Sequence, residues 1–356
     1  MELKKPTAII CLSPYSGGME LDAIKLAKKL SDSMPLILIA KQGCFIEKKC
    51  SKYFGSDGIT LETLAFKSSI SLAIIIQARK IVKKYNIKNV IFFGASELKS
   101  LYFAFLGLDV NLIVRHGTTK SRPKKDWFHK LIYSKVNCHV SISKHLKENV
   151  KYIIPFGKNT QSKLIYSSFE FNDAVPKPHK KLTLLHVGRI ARGKGQIDAL
   201  QACEILIKNN IDFVFNIVGG FDECYKEEFL NFYENYAYKN KINLAGFNDN
   251  IQQYLQTADI FLFPSHGEGF GNAFIEALAN NLVCISYDNT IFPEFQSMGF
   301  FFEICENRNI EALQTKLLEC VQNLQEKMEK SQKNISIVKE IFSEKKEIEN
   351  YLKILK

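Results

Sequence analysis

The run IFLFPSHGEGFGNAFIEAL, residues 260–278, joins an apolar strand to a glycine-rich turn and then to a helix-forming stretch. Such a turn leaves backbone N–H groups pointing out of the carboxyl end of the strand, where they bind phosphate or sugar oxygens. Its two glutamates, Glu268 and Glu276, are acceptors for the vicinal hydroxyls of a sugar. The segment therefore indicates a sugar-nucleotide site on an α/β fold.

Apolar, strand-like runs alternate with helix-like segments along the rest of the chain. In the first half the predicted strands are 8–12, 36–39, 90–93 and 112–115, and the predicted helices include 18–30 and 69–84. In the second half the predicted strands are 182–187, 213–218, 242–244, 260–263 and 282–286, and a charged helical segment follows over 309–356. This alternation predicts parallel sheets covered by helices on both faces. Because 356 residues exceed a comfortable single core, two doubly wound, Rossmann-like domains are expected.

The pattern weakens over the polar segment 158–180, which contains Pro176 and Pro178 and is the predicted linker. We therefore place one domain over residues 1–165 and a second, ligand-binding domain over 175–341.

Composition and charge restrict the class of protein. No apolar run is long enough to cross a bilayer, and the N-terminus lacks the features of a signal peptide. The nine cysteines are scattered, without a Cys-x-x-Cys pair, which favours a reducing, cytoplasmic compartment. Residues 1–180 carry 30 Lys and Arg against 13 Asp and Glu, a net charge of +17, whereas residues 181–356 carry −6. The basic half predicts an anionic partner, either nucleic acid or a membrane surface. The alternative is that its lysines only form a solvated surface.

A second glycine-rich loop, from Gly188 to Gly195, lies between a predicted strand and a predicted helix. It places two cations, Arg189 and Lys194, where a diphosphate leaving group accumulates negative charge. The chain contains no Asp-x-Asp pair and no histidine–carboxylate cluster with metal spacing. We therefore expect no cofactor and no metal, with cations and helix dipoles neutralising a bound diphosphate.

Two features of the first half are candidates for the same site. Gly17 and Gly18 form a turn between the first strand and helix, either for close approach of a ligand or simply for a tight turn. His116 directly follows a strand, where its imidazole would contact a sugar hydroxyl or steer an acceptor, or else satisfy a buried loop carbonyl.

The segment 124–135 reads as an amphipathic helix that begins in a cluster of cationic and aromatic residues. This cluster comprises Lys124, Lys125, Trp127, Phe128 and Lys130. Lysines beside the only tryptophan of the chain suit a membrane interface, and an ordinary helix that buries its apolar face is the alternative.

Taken together, these motifs resemble those of the retaining family 4 glycosyltransferases of GT-B fold. Glu268 and Glu276 are similar to the family's paired glutamates, Gly188, Arg189 and Lys194 to its phosphate-binding loop, and Gly17 and Gly18 to its N-terminal glycine loop. The resemblance implies two Rossmann-like domains that face each other across a cleft, with a C-terminal helix, about 342–356, crossing back to the first. It also implies an interdomain hinge, which the turn 155–159 loosely resembles.

The resemblance implies a role for each matching residue. Arg189 and Lys194 would hold the diphosphate, Glu276 the ribose and Glu268 the transferred sugar, with His116 at the reacting face. The remaining donor contacts would come from Gly188, Gly219, Phe247, Phe270, Gly271 and Asn272.

The expected activity is retaining transfer of a sugar from a nucleotide sugar, with UDP favoured, to a hydroxyl of a glycan or lipid-linked acceptor. The expected setting is lipopolysaccharide, O-antigen or capsule assembly by a cytoplasmic protein bound peripherally to the inner face of the membrane. An epimerase or phosphorylase of the same fold, or a non-catalytic partner subunit, are the alternatives. Nucleic acid is not expected, because acidic residues in the glycine turn would repel its phosphates.

Overall fold

The computed structural model describes residues 5–15, 17–53, 59–169, 181–248 and 250–355. The chain divides into two compact units. Unit 1 comprises Met1–Ser168 and Glu344–Lys356, and unit 2 comprises Phe169–Ser343. Each unit contains one parallel sheet, as the alternation of strands and helices predicted.

The sheet of unit 1 has seven described strands, all parallel to their neighbours. They are β1 (Thr7–Cys11), β2 (Leu36–Lys41), β3 (Ile59–Leu64), β4 (Asn89–Phe93), β5 (Asn111–His116), β6 (Cys138–Ser141) and β7 (Gln161–Leu164), in the spatial order β3-β2-β1-β4-β5-β6-β7. The helices are α1 (Gly18–Ser31), α2 (Phe45–Tyr53), α3 (Leu72–Lys84), α4 (Leu98–Ala104), α5 (Trp127–Tyr133), α6 (Lys144–Ile153) and the last helix of the chain, α15 (Glu344–Leu352).

Alternate side chains of each strand enter two different cores, because successive residues point to opposite faces of the sheet. On one face Ile10 packs in a cluster with residues of α3, α4, α5 and α6. On the other, Ile9 packs with residues of α1, α2 and α15. Doubly wound architecture is thereby confirmed for unit 1.

The C-terminal helix α15 is part of unit 1, as predicted. Its Tyr351 is fully buried, and Glu347 accepts a hydrogen bond from Lys29 of α1 at 3.0 Å. Beyond the helix, Asn111 donates to the carbonyl of Ile354 at 2.9 Å.

The sheet of unit 2 has six described strands, in the spatial order β10-β9-β8-β11-β12-β13, and is likewise parallel. They are β8 (Leu182–Val187), β9 (Phe213–Val218), β10 (Ile242–Gly246), β11 (Ile260–Phe263), β12 (Val283–Tyr287) and β13 (Glu303–Cys305). The helices are α7 (Gln196–Lys208), α8 (Glu223–Glu234), α9 (Gln252–Leu255), α10 (Asn272–Ala279), α11 (Phe292–Ser297), α12 (Ile310–Gln322), α13 (Leu324–Ser331) and α14 (Lys333–Ile341). A 3-10 turn, Lys239–Lys241, leads into β10.

Several sequence predictions about chain connections are corrected by these elements. The first part of the predicted linker 158–180 contains the edge strand β7, and residues 170–180, with Pro176 and Pro178, lie outside the described residues. The turn 155–159 connects α6 to β7 inside unit 1, so it is not a hinge between the units. The helix predicted over 124–135 begins at Trp127, where Asp126 caps it by accepting from the backbone N–H of His129. In the described ranges, no helix combines the length and the apolarity needed to span a membrane.

Candidate functional site

The carboxyl ends of four neighbouring strands of unit 2 carry the predicted donor residues. The N–H of Gly188, after β8, donates to Val218 O at 2.9 Å, and the N–H of Gly219, after β9, donates to Gly246 O at 2.8 Å. A Cβ added at Gly219 would lie 2.0 Å from Gly188 O, so this close approach of two loops requires glycine. The strand ends therefore form one continuous edge in the order β10-β9-β8-β11.

The loops after β8 and β11 are held together by backbone contacts. The N–H of His266 donates to Gly193 O at 2.9 Å. Gly195, which caps α7 with φ of +74°, packs so closely that an added Cβ would lie 1.9 Å from Pro264 O. These contacts bring the basic loop and the glutamate-bearing loop together, although 74 residues separate Lys194 from Glu268.

The predicted cation Lys194 and the predicted carboxylate Glu268 form an ion pair. Lys194 Nζ lies 2.7 Å from Glu268 Oε1, with side chains 33% and 10% exposed. Ser265 Oγ also donates to Glu268 Oε1 at 2.8 Å, and the N–H of Glu268 donates to Thr290 Oγ1 at 3.0 Å. Since an ammonium has three N–H donors, Lys194 can hold Glu268 and still donate to an anionic ligand.

Arg189, the other predicted cation, lies elsewhere on the same edge. Its side chain is half exposed, and its Nη1 lies 3.8 Å from Asp222 Oδ2. The loop that carries it is fixed by Gln196, whose side chain donates to Arg189 O at 2.9 Å. Phe247, after β10, is 67% exposed.

The glycine turn leads into α10, where the remaining predicted donor residues lie. Gly271 caps the helix with φ of +74°, and a Cβ added there would lie 3.9 Å from the Cβ of Glu268. The ring of Phe270 is buried and packs against Phe295 and Phe342. Asn272 begins the helix and is exposed. Glu276, one turn further along α10, is half-buried.

Two histidines that the sequence analysis did not select support these loops. His186 of β8 is fully buried, and its Nε2 lies 3.1 Å from Lys194 O. Burial lowers the pKa of His186 to about 4, so the neutral ring donates from Nε2 to this carbonyl. His266 Nε2 lies 2.9 Å from Asp198 Oδ2, which also accepts from Tyr287 at 2.8 Å. A histidine inside an apolar strand, just before a Gly-Arg loop, is the signal that marks His186.

In unit 1, His116 ends β5 and pairs with another histidine rather than with a loop carbonyl. His116 Nε2 lies 2.9 Å from Nδ1 of His139 on β6, and both rings are buried. Burial lowers the pKa of His116 well below its ordinary value and that of His139 to about 3, so both rings are neutral near pH 7. His139 Nε2 has no hydrogen-bond partner among the described residues and lies in an aromatic pocket with Tyr133 and Phe156.

The N-terminal glycine turn of unit 1 is simple in geometry. Gly17 caps α1 in an extended conformation, and its carbonyl accepts from the N–H of Leu21 at 3.1 Å. Gly18 is the first residue of the helix and is exposed. Any residue can adopt the extended backbone conformation of Gly17, so this conformation does not require a glycine at the position.

The predicted membrane cluster at the start of α5 faces outward in part. Trp127 is 77% exposed, Lys125 and Lys130 are exposed, and Lys124 and Phe128 are half-buried. The side chains that this helix buries in the protein core are those of Ile132 and Tyr133. In the portion of the chain that the structure describes, no group of three or more His, Cys, Asp or Glu residues is arranged to hold a metal.

The protein consists of two doubly wound units, which is the GT-B architecture. In the second unit, glycine-rich loops at the carboxyl edge of the sheet bring a lysine into contact with a carboxylate. Residues 167–338 match the model of the family described as Glycosyl transferases group 1.

Curated relatives are named as glycosyltransferases, and a solved structure shares the fold. The chain is 27% identical to the capsular polysaccharide biosynthesis glycosyltransferase CapH of Staphylococcus aureus, over 76% of this chain and 78% of CapH. It is 30% identical to an Escherichia coli UDP-Gal:α-D-GlcNAc-diphosphoundecaprenol α-1,3-galactosyltransferase, over 33% of this chain and 32% of that protein. The fold is similar to that of Anabaena HepE, solved with UDP and glucose, with a TM-score of 0.82, 14% identity and 99% coverage of both chains.

Proposed function

We propose that this protein is a glycosyltransferase that moves a sugar from a nucleotide-diphosphate sugar, with UDP favoured, to a hydroxyl of a glycan or lipid-linked acceptor. The observation that carries the proposal is the 2.7 Å contact between Lys194 and Glu268 at the glycine-bounded edge of unit 2. We take Lys194 of this pair as the cation that binds the diphosphate and Glu268 as the carboxylate that binds the sugar. The family match over residues 167–338 and the UDP bound to the similar HepE support a UDP-sugar donor.

Donor binding follows from where the residues lie along that edge. Lys194 holds the diphosphate from the loop after β8, and Arg189 adds positive charge nearby. Glu268 accepts from sugar hydroxyls and Glu276 from the ribose. Gly219 and Phe247, at the ends of β9 and β10, border the base.

We further propose a retaining, metal-independent reaction. The bond between the anomeric carbon and the phosphate oxygen breaks, and the acceptor oxygen attacks the same face. The departing phosphate oxygen takes the acceptor proton, so no protein base is needed. Lys194 and the backbone at the start of α10 stabilise the charge that develops on the diphosphate, while His116 steers the acceptor.

The acceptor side of the proposal concerns bacterial surface glycans at a membrane. CapH takes part in capsule synthesis, and the E. coli relative acts on a diphosphoundecaprenol-linked sugar. Residues 1–180 are strongly basic, and the exposed Trp127 adds an aromatic side chain suited to a lipid interface. We infer peripheral binding to the cytoplasmic face of the membrane. Co-sedimentation with vesicles should increase with phosphatidylglycerol content, and binding that ignores anionic lipid contradicts this part.

The donor is tested by thermal unfolding with a panel of UDP-, ADP- and GDP-sugars, because a ligand that binds only the folded state raises Tm. The matching donor then enters a turnover assay with candidate acceptors. A transferase releases UDP only when an acceptor is present. A sugar isomerised without acceptor indicates an epimerase, and release that requires phosphate indicates a phosphorylase.

The site assignment is tested with Lys194→Ala and Glu276→Ala. Each should cut turnover severely while circular dichroism stays unchanged, and near-wild-type rates for both contradict the assignment. Turnover in excess EDTA tests metal independence, and NMR of the new glycosidic linkage tests retention.

A further inference from the structure

The histidine pair at the end of β5 contains a buried ring nitrogen, His139 Nε2, without a hydrogen-bond partner among the described residues. His116 aligns with Ser141 in the register of β5 and β6, and His139 lies two residues before Ser141, so both histidines point to the same face of the sheet. His116 is 4% exposed and His139 is fully buried. Their contact joins His116 Nε2 to His139 Nδ1 at 2.9 Å, which leaves His116 Nδ1 and His139 Nε2 outside the pair.

The surroundings of His139 decide which of the two rings donates. Both rings are neutral because burial lowers the pKa of each, and a neutral imidazole carries one N–H and one lone pair. If His116 donated, the N–H of His139 would be at Nε2, which is buried without a partner in the part of the chain that the structure describes. The ring packs against Tyr133 and Phe156, with centroids 5.8 Å and 4.7 Å away. Buried N–H groups without a partner are rare in proteins, and unsatisfied acceptors less so, so His139 donates from Nδ1.

His186 of unit 2 provides an independent case of the same rule. Its Nε2 lies 3.1 Å from Lys194 O, and because a carbonyl oxygen only accepts, Nε2 carries the proton. The other nitrogen of this ring, Nδ1, is buried without a partner within the described ranges, as His139 Nε2 is. Where a carbonyl fixes the tautomer, the buried nitrogen without a partner is therefore the one with the lone pair.

We propose that His139 is a positioning residue that fixes the tautomer of His116. By donating from Nδ1 to His116 Nε2, it places the proton of His116 on Nδ1. His116 then presents a hydrogen-bond donor, which binds an oxygen lone pair of the acceptor sugar, and it cannot take up a proton at Nδ1 as a general base would. The inference rests on the proposed function for what His116 contacts, whereas the tautomer follows from the histidine pair itself.

The tautomers are read by long-range proton–nitrogen correlation NMR of the full-length protein with isotope-labelled histidine rings. The signals of the pair are assigned by their loss in His116→Gln and His139→Asn. We expect the protonated nitrogen to be Nδ1 in both residues and Nε2 in His186, which is the internal control. His139→Asn should preserve the tautomer of His116, because the amide nitrogen of Asn, like Nδ1, is bonded to Cγ and donates. In His139→Leu, which cannot donate, His116 should populate the tautomer protonated on Nε2.

Initial rates connect the tautomer to the reaction. They are measured with the donor and the acceptor that the turnover assay identifies. His139→Leu should raise the acceptor KM about tenfold and leave the donor KM unchanged, because the hydrogen bond from His116 to the acceptor is lost. His139→Asn is the matched control and should keep both KM values close to those of the wild type.

Three results overturn the proposal. They are a wild-type His116 protonated on Nε2, a His116 tautomer that stays unchanged in His139→Leu, and an acceptor KM that rises equally in the Asn and Leu variants. Because the wild-type spectrum and His139→Asn are themselves readouts, the test does not depend on the folding of His139→Leu. Failure of the proposed function appears separately, as wild-type protein with the expected tautomers that releases no UDP with any acceptor.

Discussion

Replacing Lys194 by Met removes the ammonium of the central ion pair while keeping most of its aliphatic stem. If Lys194 binds the donor diphosphate, the variant should bind UDP more weakly. It also leaves Glu268, whose side chain is 10% exposed, without its cation, although Ser265 still donates to the carboxylate. Affinity and stability should therefore both fall, for different reasons.

The two magnitudes follow from the structure. A hydrogen bond to a charged group contributes about 1.5–3 kcal/mol, so UDP Kd should rise roughly 10- to 100-fold. An exposed ion pair contributes about 0.2–1 kcal/mol and breaking a buried one costs about 3–5 kcal/mol. Because Lys194 is one third exposed and Glu268 is nearly buried, we expect unfolding free energy to fall by about 1–2 kcal/mol.

A double-mutant cycle separates the two effects. UDP affinity is measured by isothermal titration calorimetry and stability by urea unfolding, for Lys194→Met, Glu268→Gln and the double variant. The neutral Gln should recover part of the lost stability and none of the lost UDP affinity. The matched control is Lys239→Met, which breaks an ion pair of the same 2.7 Å length to Glu234 at an exposed position of unit 2. If the double variant regains UDP affinity, Lys194 only neutralises Glu268 and the diphosphate role is refuted.

Three further predictions concern close packing, the ribose and pH. Gly195→Ala should destabilise the protein by more than about 3 kcal/mol in urea unfolding, because the new Cβ would collide with a backbone carbonyl. The control is Gly43→Ala, which has the same φ of +74° but open space around it and should cost only about 1 kcal/mol. Glu276→Ala should bind UDP and 2′,3′-dideoxy-UDP with equal affinity, and a preserved preference for UDP contradicts the ribose role. The buried His139 and His186 have folded-state pKa values depressed to about 3 and about 4. Below pH 6.5 the unfolded chain therefore binds more protons than the folded protein. The free energy of unfolding should fall from pH 6.5 to pH 5 by up to about 1.4 kcal/mol per pH unit for each histidine. His186→Phe should flatten that slope in urea unfolding, and an unchanged slope refutes a neutral buried histidine.

Central strands could be predicted from the sequence because burial on both faces makes them nearly continuous apolar runs. Leu182–Val187 and Phe213–Val218, for example, coincide with β8 and β9. The edge strands of unit 1 escaped because they are partly exposed and need no such run. The rule is not general, since the edge strand β10 of unit 2 was predicted and the short, buried strand β6 was not. The edge strand β7 has the polar sequence QSKL and read as linker, and β3, with the sequence ITLETL, lies at the opposite edge and was not recognised.

The candidate site was predictable in part for the same reason. Lys194 and Glu268 each follow an apolar strand, and carboxyl ends of neighbouring parallel strands lie side by side. What the sequence does not reveal is pairing between elements. The contact of His116 with His139 depends on the register of β5 against β6, in which His139 aligns with Val114. Nothing in the local sequence of either histidine specifies that register.

The ion pair at the proposed donor site has a functional consequence. Lys194 is balanced by Glu268, and because an ammonium has three N–H donors, Lys194 can donate to a diphosphate and keep its contact with the carboxylate. A carboxylate has two oxygens and about four lone-pair sites, so Glu268 can accept from Lys194, from Ser265 and from a sugar hydroxyl together. We therefore expect this one ion pair to position the diphosphate and the sugar of the same donor relative to each other.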